Sequence, residues 1–381
     1  MLSKRVAALT CLVVLYGLAV SGTASAAGET MTLETSVKPL GGKLYKEISV
    51  PASMSLSVRV HTPDASPKVN PLKRAVMKFP TDLSYNPDNK RTPVCSDSAL
   101  SEQSNLSGGV AATVDLCPRS VIGTGTAEIY LAKIHKPATL VDDPELVIFN
   151  AGRDGQGNAK MKIYAYSKTT NVGILMFGSL TPKGVQDVLI PVLAEDSATA
   201  SFVLSIPGPG LTVADPEAPG GTRTIRGLDP SYAKSRCSTG EWTTGGTFTL
   251  GERAYPSGVD TGAETVVEAT PYTTECLGLA GRARLEGARV KGPKTVRRGT
   301  RRVFRITVRN GGTATAKSLR LKVSGSGRGQ ANSASIPPGA KRSIPVRVKV
   351  TGRKGSAARF TFRISGRGTA TRVVARARVA R

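Results

Sequence analysis

Residues 303–309 read VFRITVR, with Phe304, Ile306 and Val308 turned one way and Arg305 and Arg309 the other. Strict alternation of this kind marks a half-buried β-strand, because successive side chains leave a strand on opposite faces. The same period of two returns in SLRLKV at 318–323, IPVRVKV at 344–350, ARFTFRI at 358–364 and TRVVARARV at 371–379. Between them stand Asn310-Gly311-Gly312, Ser324-Gly325-Ser326-Gly327, Pro337-Pro338-Gly339 and Gly352-Arg353-Lys354-Gly355. These are turn residues. An opening strand near 288–295 and a short one near 333–336 bring the tally to seven strands in about 100 residues, the number found in an immunoglobulin-like sandwich. Each strand is apolar on one side and cationic on the other.

The whole chain has 53 Lys and Arg against 27 Asp and Glu, a formal net charge of +26, unevenly placed. Residues 281–381 hold 28 basic residues and a single acid, Glu286, whereas residues 27–280 hold 23 basic and 26 acidic residues. The shift falls at Gly278-Leu279-Ala280-Gly281-Arg282-Ala283-Arg284. A change of that size marks a domain junction, so the chain is expected to divide into residues 27–277, a linker at 278–287 and a basic domain at 288–381.

The run TVRRGTRRVFRITVRNGGTATAKSLRLKV, followed by SIPPGAKRSIPVRVKV and ARFTFRIS, resembles the CARDB and NEW3-type immunoglobulin-like modules of bacterial surface and secreted proteins. The features that match are a strand ending in an Asn-Gly-x-x-x-Ala turn and an Ile-Pro-Pro-Gly turn before a long alternating strand. The resemblance implies an accessory or adhesion-type module and brings no catalytic residues with it. This copy departs from the pattern in its excess of arginine.

The amino-terminal region shows further alternating segments at 31–37, 54–61, 72–79, 125–132, 146–150, 160–167, 172–177, 188–192 and 200–206, with more beyond 222. Amphipathic helical windows are scarce. The expected fold is therefore all-β: one large or two smaller amino-terminal sandwiches, then a carboxy-terminal seven-stranded immunoglobulin-like sandwich. Before these strands, Lys4 and Arg5, an apolar stretch at 6–20 and the small residues Ala24-Ser25-Ala26 read as a secretory signal peptide over 1–26. The apolar stretch is shorter than the roughly 18 to 20 residues of a bilayer-spanning helix. Cys11 lies inside it rather than after it, where a lipid-modified cysteine belongs. No later apolar run is long enough to span a membrane, so a secreted or envelope-associated product is expected.

Export makes disulfides the default reading of Cys95, Cys117, Cys237 and Cys276. Of the three pairings that four cysteines allow, the sequence-local one is expected, Cys95 with Cys117 and Cys237 with Cys276, because each pair brackets one loop or hairpin. PLKRAVMKFP at 71–80, CPRSVIGTG at 117–125, and the segment in which Cys237 is followed by Trp242, Phe248 and Cys276 are similar to uncharacterised exported proteins of high-GC actinobacteria. That resemblance implies export, supports the local pairing and carries no activity.

Residues that support chemistry are few. There is no C-x-x-C, and the two histidines, His61 at a strand end and His135 in a lysine-flanked loop, read as surface residues, so neither metal nor cofactor is expected. Ser231-Tyr232-Ala233-Lys234 fits S-x-x-K but lacks the helix and partner elements of that chemistry. Asp142, Asp143, Glu145 and Asp154 form the densest acidic group; oxygen ligands near the Gly-rich turn at 152–158 suit calcium, but the D-x-D-x-D-G spacing is missing and a hairpin turn with a solvated acidic loop is the plainer reading.

The strongest signal is the basic domain, whose field raises encounter rates with polyanions and makes their binding salt-sensitive. Its candidate contacts are Arg305, Arg309, Arg320, Lys322, Arg347, Lys349 and Arg363. The expected partner is an anionic cell-wall polymer or an acidic glycan. Nucleic acid is disfavoured, since the domain's only aromatics, Phe304, Phe360 and Phe362, occupy core positions and leave no stacking platform. The expectation is thus a non-enzymatic exported binding or structural protein. Its rivals are a secreted hydrolase with a carboxylate pair in the amino-terminal domain, a matrix component, and a basic face that serves solubility alone.

Overall fold

The computed structural model describes residues 28–63, 68–131, 139–192, 197–254 and 257–380; residues 1–26, expected to be a signal peptide, and His135 lie outside them. Regular structure in the described residues is nearly all strand, as the alternation predicts. Eleven strands make the amino-terminal sheet: β1 Thr30–Pro39, β2 Val50–His61, β3 Leu72–Lys78, β4 Val121–Leu131, β5 Glu145–Arg153, β6 Ala159–Ser167, β7 Val172–Leu180, β8 Val185–Leu189, β9 Ala198–Ile206, β10 Glu241–Arg253 and β11 Asp260–Glu275. They pair antiparallel in the order β11-β10-β3-β8-β7-β6-β5-β4-β9-β2-β1, and three short strands extend this into one 14-stranded sheet. The sheet rolls until its ends meet: β1 packs on β11, and Thr35 Oγ1 on β1 lies 3.2 Å from Thr244 Oγ1 on β10. Rolling encloses the inward residues of every strand, including Leu56, Met77, Ile148, Ile163, Phe248 and Leu250, in one core.

A second, smaller core forms on the outer side. The loop after β3 carries one helix, α1 Gly109–Leu116, whose Val110 and Val114 pack on Val147, Phe149 and Tyr164. Tyr164 Oη donates to Leu106 O at 2.6 Å and fixes this cover. Gly173 on β7 lies directly beneath: a Cβ there would sit 1.9 Å from Leu106 O, so the approach requires glycine. The Cys95–Cys117 disulfide closes the same loop, and Cys237–Cys276 ties the segment before β10 to the end of β11. Both are the sequence-local pairs.

The carboxy-terminal domain has eight strands rather than seven: β12 Leu285–Lys291, β13 Thr295–Val296, β14 Arg301–Asn310, β15 Leu319–Gly325, β16 Gly327–Ser333, β17 Lys341–Val350, β18 Ala357–Gly366 and β19 Thr369–Val379. They run β12-β14-β17-β16-β15-β18-β19-β13, a curled sheet whose two halves face each other. The expected opening strand is divided at Gly292-Pro293, where proline has no N–H for the ladder, and its second part crosses to pair with β19 in the other half. The short strand expected at 333–336 lies instead at 327–333, with a single bridge between Ala316 and Ile336 beyond it. Phe304, Ile306, Val346 and Val348 from one half meet Leu321, Phe360, Phe362 and Ile364 from the other.

The junction is shorter and more tightly held than the expected linker at 278–287. Gly278–Leu279 pairs in parallel with Leu44–Tyr45, and Leu285 already opens β12. In between, Thr313 N donates to Arg282 O at 2.9 Å and Gly311 N to Arg284 O at 2.8 Å. Asn310, fully buried, organises this corner: its Oδ1 accepts from Arg284 N and Gly312 N, and its Nδ2 donates to Ala314 O and Ile336 O. All four of its side-chain hydrogen-bonding positions are used, which explains an asparagine at the start of the Asn-Gly turn. Glu47 reaches across to accept from Thr315 N at 2.8 Å, and the hydrogen bonds from Thr315 hold its carboxyl below the usual range.

Candidate functional site

The seven cationic residues singled out in the sequence are all exposed, but the fold divides them between two outer faces. Arg305, Arg309, Arg347 and Lys349 stand on β14 and β17; Arg320, Lys322 and Arg363 stand on β15 and β18, on the opposite side of the core. Register adds neighbours to each set. On the first face Arg301 lies opposite Lys349, which lies opposite Arg328, while Arg309 lies opposite Lys341 and Arg305 opposite Lys291. On the second, Lys322, Arg363 and Arg372 form one cross-strand row, and Arg359 faces Arg376.

Directly opposed residues on neighbouring strands have Cβ atoms about 5 Å apart, and like charges so placed destabilise a sheet by a few tenths of a kcal/mol per pair. The domain supplies one carboxylate against this, Glu286, which Arg284 engages at 3.0 Å. The basic faces are therefore self-repelling. Raising ionic strength from about 0.01 M to about 1 M, which shortens the screening length from roughly 30 Å to 3 Å, should raise the melting temperature of this domain by about 5 °C. Differential scanning calorimetry reads the shift; a domain whose charges were already balanced would show none.

The other residues singled out for chemistry are occupied with structure. Ser231 sits on the turn before the short strand Ala233–Ser235, not on a helix; its Oγ donates to Asp229 Oδ1 at 2.7 Å and accepts from Arg91 Nη1 at 3.0 Å. Lys234 pairs with Ser84 in the ladder. Asp154 staples the hairpin between β5 and β6, its Oδ1 accepting from Gln156 N and Asn158 N and its Oδ2 from Asn158 Nδ2 at 2.6 Å. Asp143 accepts from Ser167 Oγ and Thr169 N, and Glu145 pairs with Lys168 at 3.1 Å. His61 is exposed, 3.0 Å from Thr32 Oγ1. Among the described residues no three His, Cys, Asp or Glu side chains gather as metal ligands.

Among the described residues the carboxylates with displaced pKa values, Glu47, Asp97, Asp143, Asp154, Asp187 and Asp260, are all held low. Hydrogen bonds from Lys162, Arg74 and Lys73 act on Asp97, Asp187 and Asp260. For Asp143 and Asp154, burial pulls upward but is outweighed by hydrogen bonds, from Ser167 and Thr169 and from Asn158 respectively. A general acid for glycoside hydrolysis needs the opposite displacement.

Two larger concavities stand out among the described residues. An open groove of about 310 Å³ beside Trp242 and Cys276 has one carboxylate on its wall, Glu275. A better enclosed cavity of about 100 Å³ lies inside the rolled amino-terminal sheet, walled by Ala75, Ala127, Leu146, Ile174 and Leu204 among others, with no charged residue in its lining. Neither brings two carboxylates together. Sequence reading missed this cavity, and the only signal for it was the alanines at inward positions of otherwise large-residue strands. Among the described residues no helix is long and apolar enough to cross a membrane. No protein-family model matches the chain, and the search of curated proteins found no match.

Proposed function

We propose that this is an exported, non-enzymatic binding protein whose carboxy-terminal domain holds anionic polymers of the cell envelope, either cell-wall polymers or acidic glycans. One observation supports the reading above others: most of the domain's cations stand on strands, in register on two sheet faces. Side chains at i and i+2 of a strand are about 7 Å apart, and cross-strand neighbours about 5 Å, so each face is a lattice along which a chain of phosphates or carboxylates can be matched. Such spacing costs stability, as argued above, and solubility alone does not call for aligning cations in cross-strand rows. The disulfides fit an oxidising compartment, and the resemblance of residues 288–381 to CARDB and NEW3-type modules fits an accessory role.

Binding of the full mature chain to poly(glycerol phosphate) tests this. Affinity should fall linearly on a log–log plot against salt, and a face that neutralises three phosphates should lose on the order of 20-fold between about 50 and 200 mM salt. Replacing Lys322, Arg363 and Arg372 with glutamine should flatten that slope by roughly 2. Absence of binding at low salt, or a slope unchanged by the triple substitution, would sink the proposal.

A further inference from the structure

We propose that the cavity inside the amino-terminal sheet is a binding chamber for a single short linear hydrocarbon chain of about five carbons, the apolar part of a small amphiphile. It is independent of the polyanion reading and uses the other domain.

The chamber comes from residue choice rather than from backbone spacing. One register row runs across three strands as Leu146, Ala165 and Ile174, with the small residue in the middle. The next row inward, Ile148, Ile163 and Met176, is filled with large side chains. Ala127 lies opposite Phe202, and Ala75 on β3 adds a third alanine to the wall. Interiors otherwise pack with few voids larger than a water, so three alanines converging on one space leave a hole that leucine or phenylalanine would have closed.

The lining selects hydrocarbon. A buried water needs two to four polar partners. Four polar side chains touch this wall: Ser167 Oγ donates to Asp143 Oδ1 at 2.7 Å, Tyr166 Oη donates to Asn171 Oδ1 at 2.9 Å, and Thr170 and Thr199 stand at the rim. The rest is Ala, Ile, Leu, Val, Phe, Pro144 and two methionines, Met77 and Met176, whose unbranched side chains adapt to an apolar guest.

The shape selects a linear guest. Half-exposed Thr170, Ile190 and Thr199, with exposed Val172, stand at strand ends where the cavity meets solvent. At its inner end Leu204 forms part of the wall of a second, smaller void of about 20 Å³, lined also by Met54, Leu56, Ile148 and Met161. A chain entering from the mouth runs between the halves of the sheet and leaves its polar end in water.

The experiment uses the full mature chain and pentanol, an uncharged probe that the cationic domain does not attract and that suits a cavity of about 100 Å³. Isothermal titration calorimetry should show saturable pentanol binding. Ala165→Leu and Ala127→Leu, which fill the chamber, should weaken it at least tenfold while the melting temperature stays level or rises. No saturable binding to the natural chain, or equal binding in the folded filled variants, overturns the proposal. Should the variants fail to fold, photolabelling of the natural chain with a diazirine-bearing pentanol decides the matter. Label on the peptides containing Ala165, Ile174 and Met176 supports the chamber, and label elsewhere refutes it.

Discussion

Replacing Cys237 and Cys276 together by alanine is expected to cost the amino-terminal domain about 4 kcal/mol. The bridge closes a loop with a sequence separation of 39 residues, and most of its stabilisation comes from the unfolded conformations that the link forbids. The Cys95–Cys117 bridge, with a separation of 22, should be worth about 3 kcal/mol by the same argument. Against a typical total of about 5 to 15 kcal/mol, loss of the longer bridge alone brings this domain near its unfolding limit at 37 °C. Trp242, the only tryptophan, reports on the event directly: it is buried in the amino-terminal core, and its Nε1 donates to Arg236 O at 3.0 Å, one residue from Cys237. Urea titration followed by tryptophan fluorescence should show the midpoint drop in the double variant and, to a larger extent, in the natural chain under reductant. The basic domain has no cysteine, so its transition should ignore reductant. A midpoint that did not move would mean that the rolled sheet holds its ends together without the covalent tie.

Phe304→Ala should remove about 4 kcal/mol from the carboxy-terminal domain and leave the tryptophan-reported transition in place. The Phe304 ring lies between the two halves of the sandwich, with centroids 5.1 Å from Phe360 and 5.2 Å from Phe362, and all three side chains are buried. Tilted contacts at this distance add to the burial itself, and neighbouring rings held by β-strands cannot collapse into the space left behind. Gly292 packs against the same ring, where even one extra carbon would come within 2.2 Å of Phe304 Cδ1, so the gap opens beneath β12 as well. Far-ultraviolet circular dichroism, which sees both domains, should then resolve an early transition that fluorescence does not. Phe304→Leu, which keeps most of the volume, should cost less than half as much. Because this domain already opposes its own charge, the alanine variant should regain part of its loss in high salt.

How far the chain was legible depended on whether a residue's neighbours in space were also its neighbours in sequence. The strands carrying Phe304, Ile344, Phe360 and Val58 announced themselves because alternation is a local property that the pleat converts directly into a buried face. The disulfide partners were legible for a related reason, since each pair brackets one local excursion of the chain. Strand β16 was not: GRGQANS has no apolar alternation, and its extended form comes from hydrogen bonding to β15 on one side and β17 on the other. Helix α1 was missed because eight residues with valine and threonine in the middle carry no helical periodicity; it persists as the cover of Phe149 and Tyr164.

The candidate sites divide along the same line. Alternation and composition were enough to say that cationic side chains point outward from an all-β domain, because both charge and strand period are properties of the chain read in order. Which arginines share a face was not accessible, since Arg305 and Arg320 belong to identical-looking strands that the fold turns to opposite sides. The chamber is the extreme case. Ala75, Ala127 and Ala165 are unremarkable one by one, and they make a cavity only because the rolled sheet brings strands distant in sequence around one space. Charge sums along a sequence, whereas a void exists only where several strands fail to fill the same volume.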